Sequence, residues 1–232
     1  MGDSELVGNL QSLIAFDLDG TLIDSQRDLA QSANQLIVEL GGDPLAEEAI
    51  GGMVGEGAAL LVKRALAAAG LEHSSSALDR FLEIYDTRLV NHTRLYDGIL
   101  DALRLARQHA HLGVLTNKPT SPTKKLLDAF RIADLFESVI GGDGPYQRKP
   151  SPDGLFAMMA STGATRERTL MVGDSNIDYE TAQRASVRCC VVSYGFGFRT
   201  FSRDRVRDGN SVVDDAAGLS EVIEQFLRDR SG

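Results

Sequence analysis

The feature that most constrains this chain is a short apolar run at residues 12–16 that stops abruptly at Asp17-Leu18-Asp19-Gly20. Comparable runs recur at residues 112–115, 138–140, 170–172, 189–192 and 211–213. None alternates cleanly between apolar and polar positions, the pattern of a strand covered on both faces. Longer segments of helical period lie between them. Ile99, Leu103, Ala106 and Ala110 recur at helical spacing, as do Leu219, Val222, Ile223, Phe226 and Leu227. Buried strands alternating with amphipathic helices predict an α/β fold built of βα units around a parallel sheet. Ser151-Pro152-Asp153 reads as a helix start, with Ser151 as N-cap and Pro152 as first helical residue.

One stretch breaks the alternation. From about Asp24 to Arg94 the pattern is helical with no convincing strand. Leu29, Ala33, Leu36, Ile37 and Leu40 form one apolar stripe, and Leu78, Phe81, Leu82, Tyr85 and Leu89 another. This predicts a smaller all-α domain at residues 24–94, inserted into a larger domain of residues 1–23 and 95–232. It would sit at the carboxyl end of the first strand, where open α/β sheets bind their ligands. Within it, Gly51-Gly52-Met53-Val54-Gly55-Glu56-Gly57 matches neither a dinucleotide fingerprint nor a P-loop and reads first as a flexible connector.

Composition narrows the function classes. A chain of 232 residues with 43% hydrophobic and 25% charged residues is ordinary globular material with enough length for a sizeable core. The net charge of −9 argues against nucleic acid or an anionic membrane surface as partner. No apolar stretch reaches the roughly 18 residues of a membrane span. The opening Met1-Gly2-Asp3-Ser4-Glu5 is acidic and polar, unlike a targeting peptide, and Leu6 breaks the myristoylation pattern after Gly2. Cys189 and Cys190 are neighbours in an apolar run and read as two buried thiols rather than a vicinal disulfide. These features lead to the expectation of a cytoplasmic protein, monomer or homodimer.

The candidate chemistry lies at the ends of the apolar runs. Asp17 and Asp19 repel each other and need a cation, a shared proton or water. Gly20-Thr21 adds a tight backbone and a hydroxyl suited to an anion. A second acidic cluster, Gly173-Asp174-Ser175-Asn176-Ile177-Asp178, follows another run. If both runs belong to one parallel sheet, Asp17, Asp19, Asp174 and Asp178 surround one crevice, a hard-oxygen set suited to Mg2+. Thr116-Asn117 ends a third run, and Lys149 precedes Pro150 before the next helix.

Together, Phe16-Asp17-Leu18-Asp19-Gly20-Thr21-Leu22, Thr116-Asn117, Lys149-Pro150 and Gly173-Asp174-Ser175-Asn176-Ile177-Asp178 resemble the four ordered motifs of the haloacid dehalogenase-like hydrolase superfamily. The resemblance covers nearly the whole chain and implies a Rossmann-like core with a helical cap after the first strand. It further implies that Asp17 is a nucleophile forming an aspartyl-phosphate, and that Asp19 is the general acid and base. Mg2+ would be held by the Asp17 carboxylate, the Asp19 backbone carbonyl and Asp174. Thr116 and Lys149 would bind phosphoryl oxygens with Asn117 in support, and Asp178 would bind metal through water or hold Lys149. The need for cations is electrostatic, since each like-charge pair at about 4 Å costs roughly 4 kcal/mol at an effective dielectric near 20. Asp19 favours phosphoryl transfer over carbon–halogen cleavage, which has no alkoxide to protonate. Leu18 stands where pump relatives carry lysine. A non-enzymatic binding module would be expected to lose Asp17, Asp19 or Lys149.

The leaving group is less constrained, because one catalytic centre serves many esters. Leu22-Ile23-Asp24-Ser25, Val54-Gly55-Glu56-Gly57 and Tyr194-Gly195-Phe196-Gly197 look most like the phosphoglycolate phosphatases of the superfamily. A small phosphorylated metabolite, 2-phosphoglycolate, is therefore the expected substrate. A sugar-phosphate phosphatase, a phosphotransferase and a phosphomutase using His73 or His92 are the alternatives. The substrate carboxylate would need donors from the Gly55 and Gly57 backbone or from Lys63, Arg64, Arg88 or Arg94, although each of these side chains reads first as a solvated helix face. His109 and His111 complete the four histidines, which show no metal-site spacing.

Overall fold

The computed structural model describes residues 12–229. The acidic opening Met1–Glu5, Gly2 and Leu6 lie outside the described residues. Six parallel strands form one sheet in the order β5-β4-β1-β6-β7-β8. They are β1 (Leu13–Phe16), β4 (His111–Leu115), β5 (Ser138–Ile140), β6 (Thr169–Gly173), β7 (Arg188–Val192) and β8 (Ser211–Val213). These are the six apolar runs of the sequence, each within a residue or so of its expected bounds. β1 and β6 are covered on both faces along their whole length, which is why their sequences do not alternate.

Helices α5 (Ile99–Arg107), α6 (Thr120–Ala129), α7 (Asp153–Thr162), α8 (Asn176–Ala185) and α9 (Ala216–Arg228) flank the sheet. The expected stripes of α5 and α9 are largely inward: Ile99, Leu103 and Ala106 are buried on one, Leu219, Ile223, Phe226 and Leu227 on the other. α7 begins one residue later than expected. Pro152 occupies the cap position at φ −81°, and the Asp153 N–H reaches Ser151 Oγ at 3.4 Å. Between β7 and β8, Phe201 is buried against Tyr179 with ring centroids 5.6 Å apart. Cys189 and Cys190 are buried free thiols, as expected.

The insert consists of α1 (Gln26–Glu39), α2 (Glu47–Gly51), α3 (Ala58–Ala68) and α4 (Ala77–Asp86). Their apolar stripes face one another, except that Leu40, at the end of its stripe, is 44% exposed. The expectation of no strand at the ends of this stretch is corrected. Ile23–Asp24 (β2) and Arg94–Leu95 (β3) pair antiparallel, with Ile23 opposite Leu95 and Asp24 opposite Arg94. Strands of two residues are too short to show periodicity. The ribbon brings the entry and exit of the helical layer side by side. Asp28 fastens it further, because its Oδ2 accepts the N–H groups of His92 and Thr93 and the Thr93 hydroxyl at 2.7–2.8 Å. Among the described residues no helix is long and apolar enough to cross a membrane.

Candidate active site

Strands β1, β4 and β6 are neighbours, so the loops leaving their carboxyl ends share one edge of the sheet. Asp17 follows β1, Thr116 and Asn117 follow β4, and Asp174 follows β6. Lys149 arrives from the segment between β5 and α7. Its Nζ lies 2.8 Å from Asp17 Oδ1 and 2.6 Å from Asp178 Oδ1, with 2% of the side chain exposed. Asp178 is fixed by its helix. Ser175 caps α8, and both its N–H (3.1 Å) and its hydroxyl (2.6 Å) donate to Asp178 Oδ2, leaving Oδ1 for Lys149.

Asp174 is buried and accepts the Gly197 N–H at 2.7 Å. The loop after β1 reaches it only because residue 20 is glycine. Gly20 has φ +85°, and a Cβ there would stand 2.0 Å from Asp174 Oδ2. Asp17, Asp174 and Asp178 each offer a carboxylate oxygen within 4.8 Å of the others.

Three carboxylates around one ammonium leave excess negative charge away from water. Burial pushes Asp17 up to about 6, with Asp178 adding to the rise while Lys149 opposes it. Burial also drives Asp174 well above the usual carboxylate range, with Asp178 and Asp17 contributing. On Lys149, burial alone would lower the ammonium, but Asp17 and Asp178 outweigh it and hold it charged. These residues could hold a divalent metal: the donors are hard carboxylate oxygens, clustered, and short of positive charge.

The Asp19 carboxylate stands outside that trio. It accepts the Ser25 hydroxyl at 2.5 Å and pairs with Lys118 Nζ at 3.0 Å. Thr21 is fully buried, and its Oγ1 has no hydrogen-bond partner among the described residues. Thr116 Oγ1 accepts the Lys118 N–H at 3.2 Å. Asn117 acts as a strut, with Nδ2 donating to the carbonyls of Lys149 and Gly55, both at 3.0 Å.

That last contact joins the core to the glycine-rich loop of the insert. Gly55 and Gly57 line a cleft with Asp17, Asp19, Thr116, Asn117 and Lys118. Gly57 has φ +96°, and a Cβ there would meet Asn117 O at 3.2 Å and the Arg148 guanidinium at 3.1 Å.

Other candidates are not brought to the cleft. Arg64 pairs with Glu56, Arg94 with Asp24, and Arg88 donates to Gln31 and Gln35. Lys63, His73 and His92 are exposed. The reading of these groups as surface side chains holds.

Lys118, Tyr85, Ser25 and Ser175 are site residues that sequence reasoning did not single out. Lys118 follows Thr116-Asn117 directly, and its place one step beyond a strand-end pair was the available signal. Tyr85 was counted only as part of an apolar stripe, yet its phenol accepts Lys118 Nζ at 2.7 Å. Burial pushes the Tyr85 hydroxyl up to about 12, against the lowering influence of Lys118.

Residues 14–192 match the family model described as haloacid dehalogenase-like hydrolase. The chain belongs to this family. A phosphoglycolate phosphatase of Rhodospirillum rubrum is 41% identical over 221 residues, covering 90% of each chain. One of Pseudomonas putida is 39% identical over 223 residues, covering 91% of this chain and 79% of the relative. The crystal structure of a predicted phosphoglycolate phosphatase from Haemophilus somnus 129pt superposes with a TM-score of 0.83 at 30% identity, covering 91% of this chain and 97% of that one. As a haloacid dehalogenase-like hydrolase with such relatives, the chain is a phosphoric monoester hydrolase. The parallel sheet with a helical layer inserted after β1 is the fold expected from the motifs.

Proposed function

We propose that this phosphatase hydrolyses 2-phosphoglycolate, that it needs Mg2+, and that it works through a phosphoryl group carried on Asp17. The observation that carries the reading is the cleft itself. Asp17, at the end of β1, faces Gly55 and Gly57 of the helical insert across a narrow space with Thr116 and Lys118 at its sides. The names of the relatives support the substrate, and the apolar roof fits a small leaving group better than a polyol.

Asp17 attacks phosphorus and displaces the alkoxide, which takes a proton from Asp19. Asp19 then removes a proton from the water that attacks the phosphoryl group, releasing phosphate and restoring the Asp17 carboxylate. Lys149, held between Asp17 and Asp178, neutralises charge beside the nucleophile, and the Thr116 hydroxyl in the cleft lining would meet phosphoryl oxygens. Thr21 supplies a further hydroxyl with no partner of its own among the described residues. Asn117 supports the site by spacing the Lys149 and Gly55 backbones. With both its oxygens engaged, Asp178 positions Lys149. Asp17, the Asp19 carbonyl and Asp174 would hold Mg2+, which supplies positive charge that lets an anionic ester approach a carboxylate. Residues 24–94 form the cap, with the β2–β3 ribbon as its attachment.

Phosphate release from small esters tests this reading. Phosphoglycolate with Mg2+ is expected to give the highest kcat/KM among phosphoglycolate and a set of hexose phosphates, and exhaustive chelation is expected to stop turnover. Hexose phosphates as preferred substrates, or turnover unchanged by chelation, would count against it.

A further inference from the structure

Beyond the phosphoryl site, the roof and side of the cleft are largely apolar, built from Leu29, Leu61, Phe81, Leu82, Pro119 and Pro122. Two polar side chains interrupt it. Lys118 comes from the core and Tyr85 from α4 of the insert. The Lys118 side chain is 4% exposed, and its ammonium lies 3.0 Å from Asp19 Oδ2, 2.7 Å from the Tyr85 hydroxyl and 4.5 Å from the Tyr85 ring centroid. An ammonium only donates, so the Tyr85 oxygen is the acceptor in that bond. The phenolic proton is left to point elsewhere, and among the described residues no hydrogen bond uses it.

We propose that Lys118 and Tyr85 form the leaving-group subsite and select phosphate monoesters whose alcohol bears a carboxylate beside the ester carbon. The proposal rests on the phosphoglycolate reading and names the side chains that would enforce it. With the phosphoryl group at Asp17 and the ester oxygen at Asp19, the next atoms of the leaving group meet the groups adjoining Asp19. Ser25 does not line the cleft, which leaves the ammonium and, bonded to it, the phenol. Two donors in an apolar wall match an anion with two oxygens and no protons. A polyol brings donors of its own to a surface that offers them few acceptors. Because Lys118 is buried and already held by three contacts, little side-chain freedom is lost when the ligand binds. The ligand would also bridge core and insert, since its carboxylate touches one residue from each.

The test compares kcat/KM for phosphoglycolate with that for ethyl phosphate, which replaces the carboxylate by a methyl group. Wild type, Lys118→Met, Lys118→Gln and Tyr85→Phe are assayed with Mg2+. Wild type is expected to prefer phosphoglycolate. Either Lys118 variant is expected to lower that preference by about 10- to 100-fold, chiefly through KM, the scale of a lost charged hydrogen bond. Tyr85→Phe retains the ammonium and is expected to lower it by several-fold, which keeps the test open if the Lys118 variants do not fold. Equal losses on both esters would overturn the proposal, since they would mean that Lys118 serves Asp19 alone. Wild type that hydrolyses other esters and ignores phosphoglycolate would instead refute the underlying reading, before any variant is made.

Discussion

At the residue scale the site is a problem of charge held out of water. Asp17 and Asp178 share one ammonium with Asp174 close by, and burial makes ionised Asp17 costly, pushing it up to about 6. Two substitutions of that cluster should therefore part company. Asp17→Asn removes the proposed nucleophile and one unwelcome charge while leaving Lys149 paired with Asp178. It is expected to reduce phosphate release to background with an unchanged or higher melting temperature. Lys149→Met strands the Asp17 and Asp178 carboxylates and is expected to cost about 3–5 kcal/mol, the penalty of breaking a buried ion pair, read by denaturant unfolding. A Lys149→Met protein as stable as Asp17→Asn would mean the ammonium is not the charge that balances the site. The buried thiols give a separate check. Burial pushes Cys190 from the usual 9.0 up to about 12, and Cys189 rises well above its usual value by burial as well. The folded state therefore favours the neutral thiol. Stability from this source is full below pH 9 and declines towards pH 12 as the unfolded chain ionises. Unfolding free energies are expected to fall across that interval, and a Cys190→Ala variant to fall less. Identical pH profiles would contradict the assignment.

At the scale of elements, each functional side chain is set by how its strand or helix ends. Asp17 and Asp174 leave neighbouring strands at the same edge, and the cap of α8 turns Asp178 towards Lys149. Much of this was legible. Apolar runs ending in Asp17, Thr116 and Gly173-Asp174 marked strand ends, because a strand buried on both faces carries few polar residues until it leaves the sheet. Lys118 and Tyr85 were hidden because their meeting depends on where α4 sits over the core, which no local pattern encodes. The β2–β3 ribbon was hidden by its brevity. The loop around Gly57 belongs to this scale too. Its positive φ and its closeness to Asn117 leave no room for a branched side chain. Gly57→Val is expected to raise KM for phosphoglycolate more than it changes the Mg2+ concentration needed for half-maximal activity. If steady-state kinetics show neither constant altered, the loop is only a connector.

At the scale of the whole molecule, one apolar cluster runs from Ile14 and Phe16 of the sheet through Leu22 and Ile23 into Leu29, Ile37 and Phe81 of the helical layer. The roof of the cleft is thus packed as part of the same core that fixes its floor, and the covering helices shape the space open to a leaving group. On the proposed reading the charged floor carries the chemistry, and Lys118 and Tyr85, set in a largely apolar wall, carry the selection. Four short motifs were enough to read the family and its phosphatase class, whereas the meeting of Lys118 and Tyr85 came into view only in the three-dimensional arrangement. The account stands on Asp17 becoming phosphorylated during turnover. Rapid quenching of the enzyme with phosphoglycolate and Mg2+, followed by mass spectrometry of its peptides, measures this directly. A phosphoryl adduct on Asp17 that is sensitive to hydroxylamine, and that rises and decays with turnover, is the predicted result. An enzyme that turns over with the adduct absent, or carried on another residue, would contradict it.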